Sequence, residues 1–444
     1  MWGQAYKENY KQTFLLAFPV VLSQMGHVMV GVVDTAIVGQ IGTVEQAAVA
    51  LASSFHLLVL VLGIGISFGV TPLVAAADGA KDHSQIASLL KHSIIVNTAT
   101  GIVLFLALFC FSPVLSLLDQ KTEVIDLAIP FLNVLMLGMI PLCIFSGFKQ
   151  FAEGLSFTRV AMIITIGANI INVFLNYALV FGYWGFPKMG MMGSCWASFI
   201  SRVIMAVAMF AYVYFNNHFK TYWSNFNFKN ISKQLVTKIL SLGIPSGLQW
   251  FFEIGAFSFA IIMVGWISPE AQAAHQIAVS MASITYMMAS GLSAAASVRV
   301  GNKFGTKDKE GVRIACFSAL FMVITFMAFS AICFIVFKDL LPVFFNTDPE
   351  VIRLASSLLI IAAFFQLSDG LQAVEIGALR GVQDVKVPTY IALTAYWIIG
   401  LPMSYVFGFT CNLGIQGIWY GLALGLLIAA VLLFLRFDYV SKRI

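Results

Sequence analysis

About twelve runs of apolar residues, each long enough to cross a bilayer and joined by short polar stretches, constrain this chain more than any other feature. Inside hydrocarbon every backbone N–H and C=O must find a partner within the protein. A crossing helix takes roughly 20 residues and a membrane-barrel strand about ten. The runs, at 14–39, 51–77, 92–114, 127–152, 160–183, 190–215, 237–267, 273–300, 312–337, 351–379, 387–408 and 413–437, are too long for strands. An all-α membrane protein of about twelve transmembrane helices is therefore expected. A composition that is 60% hydrophobic and 10% charged excludes a soluble fold of this size. The net charge of +5 is scattered through loops rather than gathered on one stripe, so nucleic acid is not an expected partner.

Basic residues order the topology. Lys7, Lys11, Lys81, Lys91, Arg159, Lys220, Lys229, Lys233, Lys238 and the later series to Lys442 and Arg443 fall on one side, against Lys121, Lys188, Lys338 and Arg353 on the other. The richer side is the cytoplasmic one, which places both termini there in a multi-pass protein of the cell (inner) membrane. The polar start MWGQAYKENYKQ precedes a run longer than a signal-peptide core, so the first helix is expected to stay in the protein. Six cysteines without metal spacing imply neither a disulfide nor a metal centre.

The longest polar connection separates two lobes, giving 1–218, a cytoplasmic linker at 219–236, and 237–444. These lobes are copies. Pro19 to Asp82 lies over Pro245 to Asp308 without a gap, pairing Pro19 with Pro245, Gly65 with Gly291, and Lys81 and Asp82 with Lys307 and Asp308. EVIDLA (Glu123 to Ala128) recurs as EVIRLA (Glu350 to Ala355). An even number of spans per half keeps both halves in one orientation, the arrangement of rocking-lobe transporters.

Three carboxylates break this symmetry. Asp34 falls on Ala260, Glu253 on His27 and Asp369 on Leu142, so the shared fold requires none of them. A charge in hydrocarbon costs at least about 2.5 kcal/mol and is a functional candidate by default. Glu253 and Asp369 lie near the middle of their spans, where two adjacent carboxylates cannot both be ionised and unpaired. Either one holds a proton or a cation sits between them. In the first lobe Asn169, Asn172 and Asn176 share a helical face, as donors or ion ligands for Asp34 or as glue between helices. Gln249 is placed one turn from Glu253 and supports the second site. Around Glu253 the side chains Trp250, Phe252, Phe257, Tyr286, Met287 and Phe365 are either core or the lining of a cleft for flat hydrophobic cations. Pro19, matched by Pro245, is a fixed kink or a hinge coupled to Asp34.

With PVVLSQMGHVMVGVVDTAIVGQIG, NIINVFLN, GLQWFFEIGAFS and QLSDGLQAVEIGALRGVQD in view, the chain resembles the multidrug and toxic compound extrusion (MATE) family, in its NorM-like branch, over essentially its whole length. The resemblance implies an antiporter that expels organic cations against Na+ or H+, with no enzymatic activity and no cofactor beyond the coupling ion. It assigns the first-lobe carboxylate to Asp34, the facing polar pair to Asn172 and Asn176, a usual threonine position to Ser198, and the second-lobe acidic pair to Glu253 and Asp369. NorM-like chains carry a tyrosine where this one has Phe365, and phenylalanine cannot ligate sodium. Glu253 and Asp369 remain the metal ligands if sodium couples, and the proton stays an equal alternative. The expected protein is monomeric and takes small organic cations. A flippase for a lipid-linked or other amphipathic metabolite is the rival reading, and it would want a basic central cavity.

Overall fold

The computed structural model describes residues 2–117, 122–223 and 231–444, and within them every side chain except those at 2–7, 27, 43, 114, 116 and 117. Lys121, Lys229 and the middle of the expected linker lie outside the described residues, as do the side chains of Lys7 and His27. Among the described residues there are twelve helices long and apolar enough to cross a membrane. They are α1 (Glu8–Gly39), α2 (Val44–Gly79), α3 (His83–Phe111), α4 (Thr122–Gly154), α5 (Thr158–Phe181), α6 (Met191–Phe215), α7 (Lys233–Gly265), α8 (Pro269–Gly305), α9 (Lys309–Val336), α10 (Pro349–Gly381), α11 (Lys386–Thr410) and α12 (Gly414–Ser441). The fold is all-α in two pseudo-symmetric six-helix lobes.

Local sequence sets the helix starts, and the two repeats set them alike. Asp82 accepts the Gln85 backbone N–H at 2.9 Å to cap α3, and its repeat partner Asp308 accepts from Gly311 N–H at 2.8 Å to cap α9. The preceding Lys81 and Lys307 both turn through the left-handed region, at φ 57° and 56°. The Gly311 N–H holds the Asp308 carboxyl below its ordinary range. Ser268 and Asp348 cap α8 and α10, each followed by a proline in the first turn, where the missing N–H costs nothing.

Compactness divides the chain at places that polarity does not mark. One unit comprises Leu22–Gly247, and the other joins Met1–Val21 to Leu248–Ile444. Both boundaries fall inside a helix, just past Pro19 in α1 and just past Pro245 in α7. They differ from the expected linker at 219–236.

Glycines explain how each leading half-helix docks. In the first unit a Cβ on Gly65 of α2 would sit 2.1 Å from Gly247 Cα, and one on Gly243 would sit 2.3 Å from Ile66 O. In the second, a Cβ on Gly291 of α8 would sit 2.3 Å from Val21 Cγ2 and 3.0 Å from Ala17 O. Small residues let membrane helices approach backbone to backbone, and the paired Gly65 and Gly291 do this in both repeats. The first unit's core gathers around Phe131, Leu132, Met136 and Cys195. In the second unit one cluster is built on Trp419, Phe365 and Tyr396, and another on Met327, Leu379 and Phe437.

Candidate functional site

Each unit holds its own acidic cluster. In the first, Asp34 of α1 accepts two hydrogen bonds, from Asn176 Nδ2 to Oδ1 at 2.8 Å and from Ser198 Oγ to Oδ2 at 2.6 Å. Asn172 Nδ2 donates to Ser198 Oγ at 3.2 Å, and Asn176 Nδ2 also reaches Asn172 O at 3.1 Å. The spacing that puts Asn172 and Asn176 one turn apart on α5 thus aims both amides at one carboxylate. Asn169, a turn earlier, instead lies against Gly26 of α1, whose absent Cβ would come within 2.6 Å of its Nδ2.

Arg202 completes this cluster one turn beyond Ser198 on α6. Its charge acts on Asp34 without a direct ion pair, while its Nη1 lies 3.2 Å from His56 Nε2 and 3.3 Å from Leu135 O. Gly138 leaves room for the guanidinium, since a Cβ there would sit 2.8 Å from Nη1. No local sequence pattern names the partners of Arg202, because His56 and Leu135 sit on other spans. The i, i+4 spacing of Ser198 and Arg202 was the available signal.

In the second unit Glu253 of α7 and Asp369 of α10 interact directly through their charges, and the Tyr286 hydroxyl of α8 donates to Glu253. The charges of both carboxylates act on Tyr396 of α11, whose hydroxyl accepts a hydrogen bond from the Gln372 amide, one turn beyond Asp369. Asp369, Gln372 and Tyr396 are all buried. Among the described residues neither Glu253 nor Asp369 has a base within ion-pair distance. The arrangement is an acid pair, Asp369 buried and Glu253 half-buried, with the Tyr286 hydroxyl on Glu253, able to take up a proton or a hard cation. In the repeat Asp34 falls on Ala260 and Asp369 on Leu142, both buried apolar residues of the ordinary core.

Other expected site residues are placed differently. Gln249 donates from Nε2 to Val385 O at 3.2 Å, tying α7 to the chain just before α11. Phe365 is only 3% exposed, with its ring 5.9 Å from Phe257 and 5.7 Å from Trp419, so it belongs to the core rather than to an open lining. Trp250, Phe252, Phe257 and Met287 are half-buried, and the Phe252 carbonyl accepts from Trp397 Nε1 at 3.0 Å. Pro19 is buried within an uninterrupted α1.

Three features were missed from sequence. Tyr396 lies in a π-helical stretch, Thr394–Gly400, a distortion frequent at functional sites and invisible to periodicity. Lys149 and Glu153 form a buried i, i+4 pair at 3.8 Å, with Lys149 Nζ also 3.3 Å from Ser23 Oγ on α1. That spacing was legible. Glu375 is buried on α10 with Oε2 lacking a hydrogen-bond partner.

Comparison with known proteins gives one consistent result. The MatE family model matches residues 19–178 and again 245–406, so its two matches open on the paired prolines. The chain is 31% identical over 445 residues to the multidrug resistance protein MdtK of Yersinia pseudotuberculosis, covering 99% of this chain and 97% of that protein. It is 32% identical over 441 residues to the probable multidrug resistance protein NorM of Bacillus subtilis, covering 99% and 98%. Among solved structures, the eukaryotic MATE transporter AtDTX14 superposes with a TM-score of 0.88 at 21% identity, covering 99% and 98%. An outward-facing multidrug resistance MATE transporter of the MOP superfamily superposes at 0.90 and 18% identity, covering 98% and 96%. At those identities the structures speak for the fold alone.

Proposed function

This chain belongs to the MatE family of membrane transporters, and from that premise we propose that it is a secondary active antiporter exporting amphipathic organic cations in exchange for Na+ or H+. The observation that carries the reading is the acid pair Glu253–Asp369: Asp369 is buried and Glu253 half-buried, no base stands within ion-pair distance among the described residues, and the other repeat has His27 and Leu142 at these positions. A fold built from two copies has no structural need for it. Multidrug resistance in the names of MdtK and NorM supports the substrate class, and so does the sign of the charge. A flippase of anionic lipid-linked precursors would need cations at these positions.

Coupling follows from the same groups. Carboxylate and phenol oxygens of Glu253, Asp369, Tyr286 and Tyr396 are the hard donors sodium takes, while a proton needs only one of the two carboxylates. Phe365 therefore does not decide the ion, because the Tyr286 hydroxyl reaches the pair from α8. Asp34, held by Asn176 and Ser198, is the second acid of the cycle, and Pro19 is the point about which α1 responds to it. Trp250, Phe252, Phe257 and Met287 line the path of the organic cation, and both termini lie in the cytoplasm. Transport proceeds by alternating access in a monomer.

Binding of an ethidium-like dye to the purified protein in nanodiscs, titrated with sodium and with acid separately, tests this reading. One of the two cations should displace the dye, and Glu253→Gln with Asp369→Asn should remove that competition. Dye binding indifferent to both cations, or equally tight for an anionic analogue, would overturn it.

A further inference from the structure

Away from both acidic clusters, the first unit has a groove of about 1090 Å³ between α3, α4, α6 and the short helix Lys220–Trp223. Its volume is just above the ~300–1,000 Å³ usual for small-molecule sites. Ile144, Val203 and Val207 are among its apolar walls, and Val207 is 60% exposed. One end differs in chemistry. There Phe210, Tyr214 and Trp223 pack ring to ring at 5.4 to 5.9 Å, and Lys220 stands exposed beside them.

The only charge among the lining residues is that of Lys220. It lies in a segment, residues 216–238, that carries four lysines and no aspartate or glutamate. Aromatic rings with basic residues at the end of a membrane helix mark the headgroup level, and clusters of four or more lysines there attract anionic lipid. An organic cation would meet like charge and no carboxylate. We propose that this groove is a binding site for one anionic phospholipid, its acyl chains along α4 and α6 and its phosphate at Lys220 and the Tyr214 hydroxyl. The inference needs only that the helices are embedded in a membrane, and it is independent of the transported substrate.

The test uses the full-length protein in nanodiscs, with phosphatidylglycerol and phosphatidylcholine brominated in their acyl chains as probes. Quenching of Trp223, isolated from the other seven of the eight tryptophans by comparison with Trp223→Phe, reports occupancy. Native mass spectrometry counts bound lipid. Phosphatidylglycerol should quench at lower mole fraction than phosphatidylcholine and be retained at one per chain. Lys220→Gln should weaken it about fivefold, the equivalent of ~1 kcal/mol per lysine at the surface, without affecting phosphatidylcholine. Val207→Phe, which narrows the groove, should weaken both lipids. Equal quenching by the two lipids, insensitivity to both substitutions, displacement by ethidium, or a dimer that Val207→Phe abolishes would each overturn the assignment.

Discussion

Asp34→Asn separates the chemistry of the first cluster from its architecture. Asparagine keeps the shape and one acceptor oxygen, so the 2.8 Å bond from Asn176 survives. The new amide faces Ser198, whose hydroxyl can turn from donor to acceptor at the 2.6 Å contact. What is lost is the charge on two bonds, each worth about 1.5–3 kcal/mol to an ionised acceptor and 0.5–1.5 to a neutral one. Folding should therefore weaken by about 2–3 kcal/mol, and by much less where Asp34 is already protonated. Asp34→Ala should cost about 1–3 kcal/mol more, because it removes both acceptor oxygens and leaves the Ser198 hydroxyl without its partner. Thermal unfolding of the purified variants measures these costs, and ethidium efflux from proteoliposomes measures transport. Asp34→Asn should fold and insert while efflux falls to background. Normal efflux by a folded Asp34→Asn protein would show that the residue is structural.

Three further outcomes follow from packing. Gly65→Val should destabilise by at least about 1–3 kcal/mol, since its side chain would enter the Gly247 backbone, whereas Gly31→Ala, with no atom within 4 Å of its Cβ, should be neutral or slightly stabilising in the same melts. Phe365→Tyr would place a hydroxyl between Phe257 and Trp419, where an unpartnered group costs about 1–3 kcal/mol, so a lowered melting temperature with unchanged sodium response is expected. A strengthened sodium response would instead put that hydroxyl at the acid pair. Asp308→Ala should cost about 1 kcal/mol at neutral pH through loss of the α9 cap. Because the folded carboxyl is held below its ordinary value, that contribution is full above about pH 4 and fades as pH falls through the lower folded value, so the variant and the parent should converge in acid melts.

Much of this was legible in the chain because hydrocarbon permits so few solutions. The apolar runs gave the helices, and the offset between Pro19 and Pro245 gave the twin lobes, down to the matched caps at Asp82 and Asp308. Spacing on α5 was enough to aim Asn172 and Asn176 at Asp34. Lateral packing was not readable in the same way. Tyr286 and Tyr396 look like two more aromatics among many until α8 turns the Tyr286 hydroxyl to Glu253 and α11 sets Tyr396 against Gln372. Polarity drew the boundary at 219–236, but compactness is decided by which helix half lies against Gly65 or Gly291, and nothing in hydropathy records that. His56 reached Arg202 across 146 residues, beyond any local pattern.

The central claim is that the buried acids convert a cation gradient into export of organic cations. Uphill ethidium transport in proteoliposomes, driven by a sodium gradient in one set and a proton gradient in another, tests it most directly. The account predicts accumulation against the dye gradient under at least one imposed cation gradient, and its loss in Glu253→Gln and Asp369→Asn proteins that still melt cooperatively. Uphill transport that persists in both variants, or dye movement that only follows its own gradient in the unaltered protein, would contradict it.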